Sequence, residues 1–140
     1  MPHPLILRGG LLAALLAVSA TLAAQQPAYN LKLTEPDQEL DGYTYRYKGI
    51  HHFTSSMRGV RGMDSTLYWV SADGKQLTAY KQGRKQWQAN VNRAFTKLLP
   101  SSKIDRLVLS SGVVFIFTTG RGHAEIDRTT GSVGAVGVDP

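Results

Sequence analysis

The chain has 140 residues, 16 Lys and Arg against 10 Asp and Glu for a net charge of +6, and no cysteine. No disulfide can staple it and no cysteine-linked lipid can anchor it, so its stability has to come from packing. The positive charge gathers between residues 46 and 106, where 12 Lys or Arg face only Asp64, Asp73 and Asp105. Such a stretch attracts anionic polymers or simply solubilises a surface.

The N-terminus reads as an export signal over residues 1–24. A basic start at His3 and Arg8 leads into the apolar run from Leu11 to Val18, and small residues follow at Ser19, Ala20, Ala23 and Ala24. The run is too short to span a bilayer, which disfavours a stable membrane anchor, and cleavage is expected near Ala24. The predicted location is therefore outside the cytoplasm, either periplasmic or extracellular, and that location argues against a routine nucleic-acid partner. Residues 25–41, with Pro27, Pro36 and alternating acids, read as a flexible linker or arm. A single β-rich domain is expected over 42–140.

Within it, Tyr43 to Tyr47 alternates aromatic and polar residues as a half-buried strand does. Further short β-type runs follow at His52–Thr54, Leu67–Val70, Leu77–Tyr80 and Gln86–Ala89. Asp73-Gly74 and Gln82-Gly83 separate the later ones and predict tight hairpins of the primed type. From Asn90 to Leu99, Val91, Phe95, Leu98 and Leu99 can lie on one face, predicting a short helix near 92–99, capped by Asn92 and ended by Pro100. Strands resume at 104–109, 113–118, 123–127 and 132–138.

The chain also repeats itself. Leu67 to Gly74 superposes on Val113 to Gly120 at an offset of 46 residues, and Ala79 to Gly83 answers Glu125 to Gly131 with a longer turn. His52 to Ser56 and Arg106 to Ser110 are candidates for the outer strand of each unit. The units span about 51–91 and 104–138, near the period of a four-stranded blade.

These residues resemble the blade repeat of pyrroloquinoline quinone dehydrogenases and of cofactor-free propellers. The resemblance lies in Val113 to Gly122, the Asp127-x-x-Thr130-Gly131 turn, and Gly83-x-x-x-Trp87, whose tryptophan stands where that family docks one between blades. The first copy lacks the Asp-x-x-Thr-Gly turn, and the second has Ala135 in place of the tryptophan. The resemblance implies a mainly β fold of two propeller-blade-like, antiparallel four-stranded meanders. Two blades cannot close a ring, so they are expected to pack as a small sandwich or partial propeller, with a monomer slightly favoured over a homo-oligomer. The carboxylate and calcium set that holds the quinone in that family has no counterpart here, and no cofactor is expected.

Trp69 and Trp87, beside Arg84 and Lys85, are the candidate ligand-binding residues, because aromatic faces next to cations grip sugars and single strands. His51, His52 and His123 are weak metal candidates: neighbours on a strand point to opposite faces, and no spaced ligand motif is present. No serine lies in a nucleophile elbow and no cysteine nucleophile exists, so no catalytic residue is assigned. The expected function is a non-catalytic binding or scaffold module of the bacterial envelope or secreted space, with an envelope protein or anionic polymer as partner. The alternatives are a small exported hydrolase or metal-dependent enzyme using the three histidines, and a polyanion-binding protein using Arg84, Lys85, Arg93 and Lys97.

Overall fold

The computed structural model describes residues 28–37 and 49–140. The expected export signal, both ends of the expected arm and the expected Tyr43–Tyr47 strand lie outside the described residues. Sheet A contains β1 (Thr34–Pro36), β3 (Gly59–Arg61), β4 (Thr66–Val70), β5 (Gln76–Lys81) and β6 (Arg84–Asn90) in the order β1-β3-β4-β5-β6. Sheet B contains β2 (His51–His52), β7 (Ile104–Leu109), β8 (Val113–Thr118), β9 (Gly122–Asp127) and β10 (Val133–Val138) in the order β10-β9-β8-β7-β2. Every pairing is antiparallel except β1 with β3.

Each sheet thus holds a meander of four consecutive strands, β3 to β6 or β7 to β10, and each gains a fifth strand beside the first of the four. This corrects the expected four-stranded units. The strand expected to open the first unit, around His52, instead pairs with β7 in the other sheet, His51 opposite Leu107 and His52 opposite Arg106. Gly59–Arg61 opens the first meander in its place. The arm also contributes structure: Thr34–Pro36 adds a parallel edge to β3, and Pro36 is tolerated because an edge strand has no partner on one side.

Alternation explains why these segments pair. Tyr68 and Val70, Leu77 and Ala79, Trp87 and Ala89 point inward from sheet A, and Leu107 and Leu109, Val114 and Ile116, Ala124 and Ile126 point inward from sheet B. All belong to one apolar cluster, which Phe95 completes from the connection between the sheets. That connection begins with α1 (Val91–Ala94), where the Asn90 side chain accepts from the Arg93 amide at 2.9 Å. The cap is Asn90 rather than Asn92, and the helix stops short of the expected 99. Asn92 donates instead to the carbonyls of Pro100 at 3.2 Å and Ser102 at 3.0 Å, turning the chain back.

The turns divide by backbone sign. Gln82 (φ 53°) and Gly83 (φ 76°) both adopt the left-handed region that a primed hairpin turn requires, as do Gly120 (φ 79°) and Arg121 (φ 68°). At Asp73-Gly74 only the glycine does (φ 73°), and the loop is held instead by the Asp73 carboxylate. It accepts from the Ser71 hydroxyl at 2.6 Å and from the Lys75 amide at 3.1 Å.

The sheets are also tied by polar contacts. Trp87 Nε1 donates to the Arg128 carbonyl at 2.8 Å, in the β9–β10 turn. Arg128 Nε donates to the Tyr68 hydroxyl at 2.9 Å, and its guanidinium also reaches the Ser110 carbonyl and Asp64, the latter at 3.4 Å. Burial raises the Tyr68 phenol above its ordinary value, while the Arg128 hydrogen bond pulls the other way. Among the described residues no helix is long and apolar enough to cross a membrane.

Candidate functional site

Residues of β4 and β5 that do not face the core build the outer face of sheet A, and it is aromatic. Trp69 pairs across the strands with Thr78, and Thr78 in turn with Gln88 of β6, so the three form a row. Tyr80 lies two residues along β5 on the same face. Trp69 lies flat over β3 because residue 59 is glycine: a Cβ there would come to 2.8 Å of the indole and 3.0 Å of the Thr34 methyl. The segment entering β1 crosses this face, and Tyr29 sets its ring centroid 4.8 Å from Tyr80 and 6.4 Å from Trp69.

Beside the rings lies a groove of about 600 Å³, lined by Trp69, Tyr80, Thr78, Gln88, Arg58 and, from the crossing segment, Ala28 and Leu33 among others. Arg58 brings the charge. Its guanidinium donates to the carbonyls of Thr54 and Val70, each at 3.4 Å, and of Ser71, while Nε has no hydrogen-bond partner among the described residues. Burial lowers the guanidinium from its ordinary value, and nearby Asp73 partly offsets that. The groove therefore combines apolar walls, amide and hydroxyl groups, and a cation hydrogen-bonded to neutral carbonyls, a composition suited to a ring-bearing polar ligand.

Of the four candidate ligand residues, Trp69 alone lines this groove. Trp87, on the same sheet, is 7% exposed: its ring packs against Gly131, where a Cβ would come to 2.7 Å, and its N–H is spent on Arg128. Arg84 and Lys85 are exposed at the start of the edge strand β6, outside the groove lining. Arg93 and Lys97 lie beyond the other end of that strand, about 20 Å further at ~3.3 Å per residue, so the four cations do not form one cluster.

The three histidines separate too. His51 is 3% exposed and faces inward, with Nδ1 2.6 Å from Glu35 Oε1 and Nε2 2.8 Å from Asp37 Oδ1. His52 faces outward from the same strand and is exposed. His123 shares a row of sheet B with His52, through Arg106 and Phe117, at three strand spacings or about 14 Å. It contacts Asp139 at 3.3 Å. Among the described residues no three His, Cys, Asp or Glu side chains are arranged to hold a metal ion.

The sequence reading missed Arg58, Gln88 and Tyr29. Gln88 was readable, since it alternates with the buried Trp87 and Ala89 on β6. Arg58 lies before a strand that the sequence reading did not place, and Tyr29 lies in the arm. Comparison with protein-family models finds no match, and no curated protein or solved structure matches significantly.

Proposed function

We propose that the chain is a non-catalytic binding module that holds a sugar ring of an envelope or secreted polymer in the outer groove of sheet A. The observation that carries this reading is the placement of Trp69, with Tyr80 beside it, on a partly open groove wall next to Arg58, while the neighbouring aromatics Tyr68 and Trp87 are buried. A sugar lays its apolar C–H face on the indole and offers hydroxyl or carboxylate oxygens to Arg58 and Gln88. The scaffold beneath is read as two blade-like units packed through their inner faces. The repeated meander and the docking of Trp87 on the Asp127 to Gly131 turn support the resemblance to propeller repeats.

Neutral and acidic oligosaccharides, titrated against the protein and read by titration calorimetry, test the reading. The expected result is a saturable change that Trp69→Ala weakens by about fivefold or more, since an aromatic platform contributes about 1–3 kcal/mol. Equal binding by that variant, or no response to any oligosaccharide, overturns it.

A further inference from the structure

The groove has one wall that belongs to neither meander. Ala28 and Leu33 come from the segment that crosses sheet A before β1, and Tyr29 of the same segment leans on Tyr80. Its backbone is held by the three-residue pairing of β1 with β3, by the Arg58 amide donating to the Leu33 carbonyl at 2.6 Å and by the Asp37 amide donating to the Arg61 carbonyl at 2.8 Å, while Pro36 has no N–H to give. A further tie is ionic. Glu35 and Asp37, on and just after this edge of sheet A, engage both ring nitrogens of His51, on the edge of sheet B.

We propose that Glu35, His51 and Asp37 form a proton-controlled clasp that seats residues 28–37 on sheet A and thereby decides whether the groove has its N-terminal wall. An ionised carboxylate only accepts hydrogen bonds, so contacts of 2.6 and 2.8 Å at both ring nitrogens require both to donate, which only the imidazolium does. Neutral imidazole keeps one N–H and turns a lone pair toward the other carboxylate at the same short range. Asp37 has a side chain only 1% exposed, so water does not replace the lost donor there.

Among the described residues no other charge competes for this ring. His52 points to the opposite face, and β7 places Leu107 opposite His51. Asp105 and Arg106 of β7 pair with each other at 3.5 Å, and β3 offers only Arg61, in register with Pro36. The clasp is therefore closed while both ring nitrogens carry protons and is released when one of them is lost. For its consequence on binding, this inference rests on the reading of the groove as a ligand site. The clasp itself does not.

Hydrogen exchange of the Asp37 and Arg58 amides, corrected for the intrinsic rate, and iodide quenching of Trp69 report the seating without any ligand. From about pH 5 to about pH 8 both amides should lose roughly tenfold in protection and Trp69 should become more accessible, while Trp87 stays shielded. Glu35→Gln is the decisive variant. Its amide donates to the neutral ring's Nδ1 lone pair while Nε2–H keeps Asp37, so it should remain protected at about pH 8. His51→Gln, where it folds, should show low protection throughout. Protection independent of pH in the unaltered chain, or the same pH dependence in Glu35→Gln, overturns the clasp. A working clasp without oligosaccharide binding would overturn the groove reading alone.

Discussion

The two meanders follow the same path yet treat their outer faces differently. Facing inward, both copies remain apolar: Tyr68 and Val70 correspond to Val114 and Ile116, and Leu77 and Ala79 to Ala124 and Ile126. Facing outward, the Trp69, Thr78 and Tyr80 of sheet A correspond to Phe115, Glu125 and Asp127 of sheet B. Asp127 is committed to its own turn, accepting from the amides of Thr129 at 2.8 Å and Thr130 at 2.9 Å. On the outer face of sheet B, Arg106 of β7 lies 4.9 Å over the Phe117 ring, whereas sheet A receives the crossing segment with Tyr29 and holds a groove. A shared core constrains one side of a repeat and leaves the other free to diverge, so a site arises on the side that packing does not dictate.

The strongest way to break this comparison is to ask whether the halves share their core at all. Phe95→Ala, at a fully buried position between the sheets, should cost about 3–5 kcal/mol in urea unfolding and shift both tryptophans' transition together with the circular dichroism. Separate transitions would mean two independent units. Gly131→Ala tests the dock between them. It places a Cβ 2.7 Å from the Trp87 ring at a φ of 76°, and a loss of about 1–3 kcal/mol with a shifted Trp87 emission is expected. Unchanged emission would show that the ring does not lie on that turn.

Gly59→Ala sharpens the contrast on the outer face. The new methyl should lift Trp69 from its place over β3, costing about 1 kcal/mol of stability while weakening oligosaccharide binding more than that cost predicts. Loss of stability without loss of binding would detach Trp69 from the site.

The smallest effects concern the turns. Hydrogen bonds from the Thr130 and then the Thr129 amide hold the Asp127 carboxyl below its ordinary value, and bonds from the Ser71 hydroxyl and then the Lys75 amide do so for Asp73. A depressed folded-state value means that the stabilisation is present above the ordinary carboxylate range and disappears as pH falls through the folded value. Stability measured through the acid limb should therefore fall less steeply in Asp127→Ala and in Asp73→Ala than in the unaltered chain. A parallel acid limb would show that these turns contribute nothing through ionisation.

Most of the strands were legible because a half-buried strand writes its burial as alternation: Trp87 and Ala89 buried between exposed Gln86 and Gln88 is a local pattern. The same periodicity separated Tyr68 from Trp69, placing them on opposite faces, and the hairpin at Gln82-Gly83 followed from the glycine. The repeat was legible at its offset, but its detail was not. Strand register makes Val133, opposite Ile126, the counterpart of Trp87, opposite Ala79, whereas spacing from the glycine had pointed to Ala135, which lies in a bulge at φ 45°.

What the sequence by itself determined is the β character and, for the strands from β4 onward, their order and inward side, because these depend on neighbours two residues apart. Tertiary structure alone decided which sheet received β2, that the arm supplies β1, and which charged groups meet. Glu35 and Asp37 lie 16 and 14 residues before His51, and Arg128 lies 60 residues after Tyr68. Contacts across such distances arise where separate edges come together as the core closes. No local period announces them.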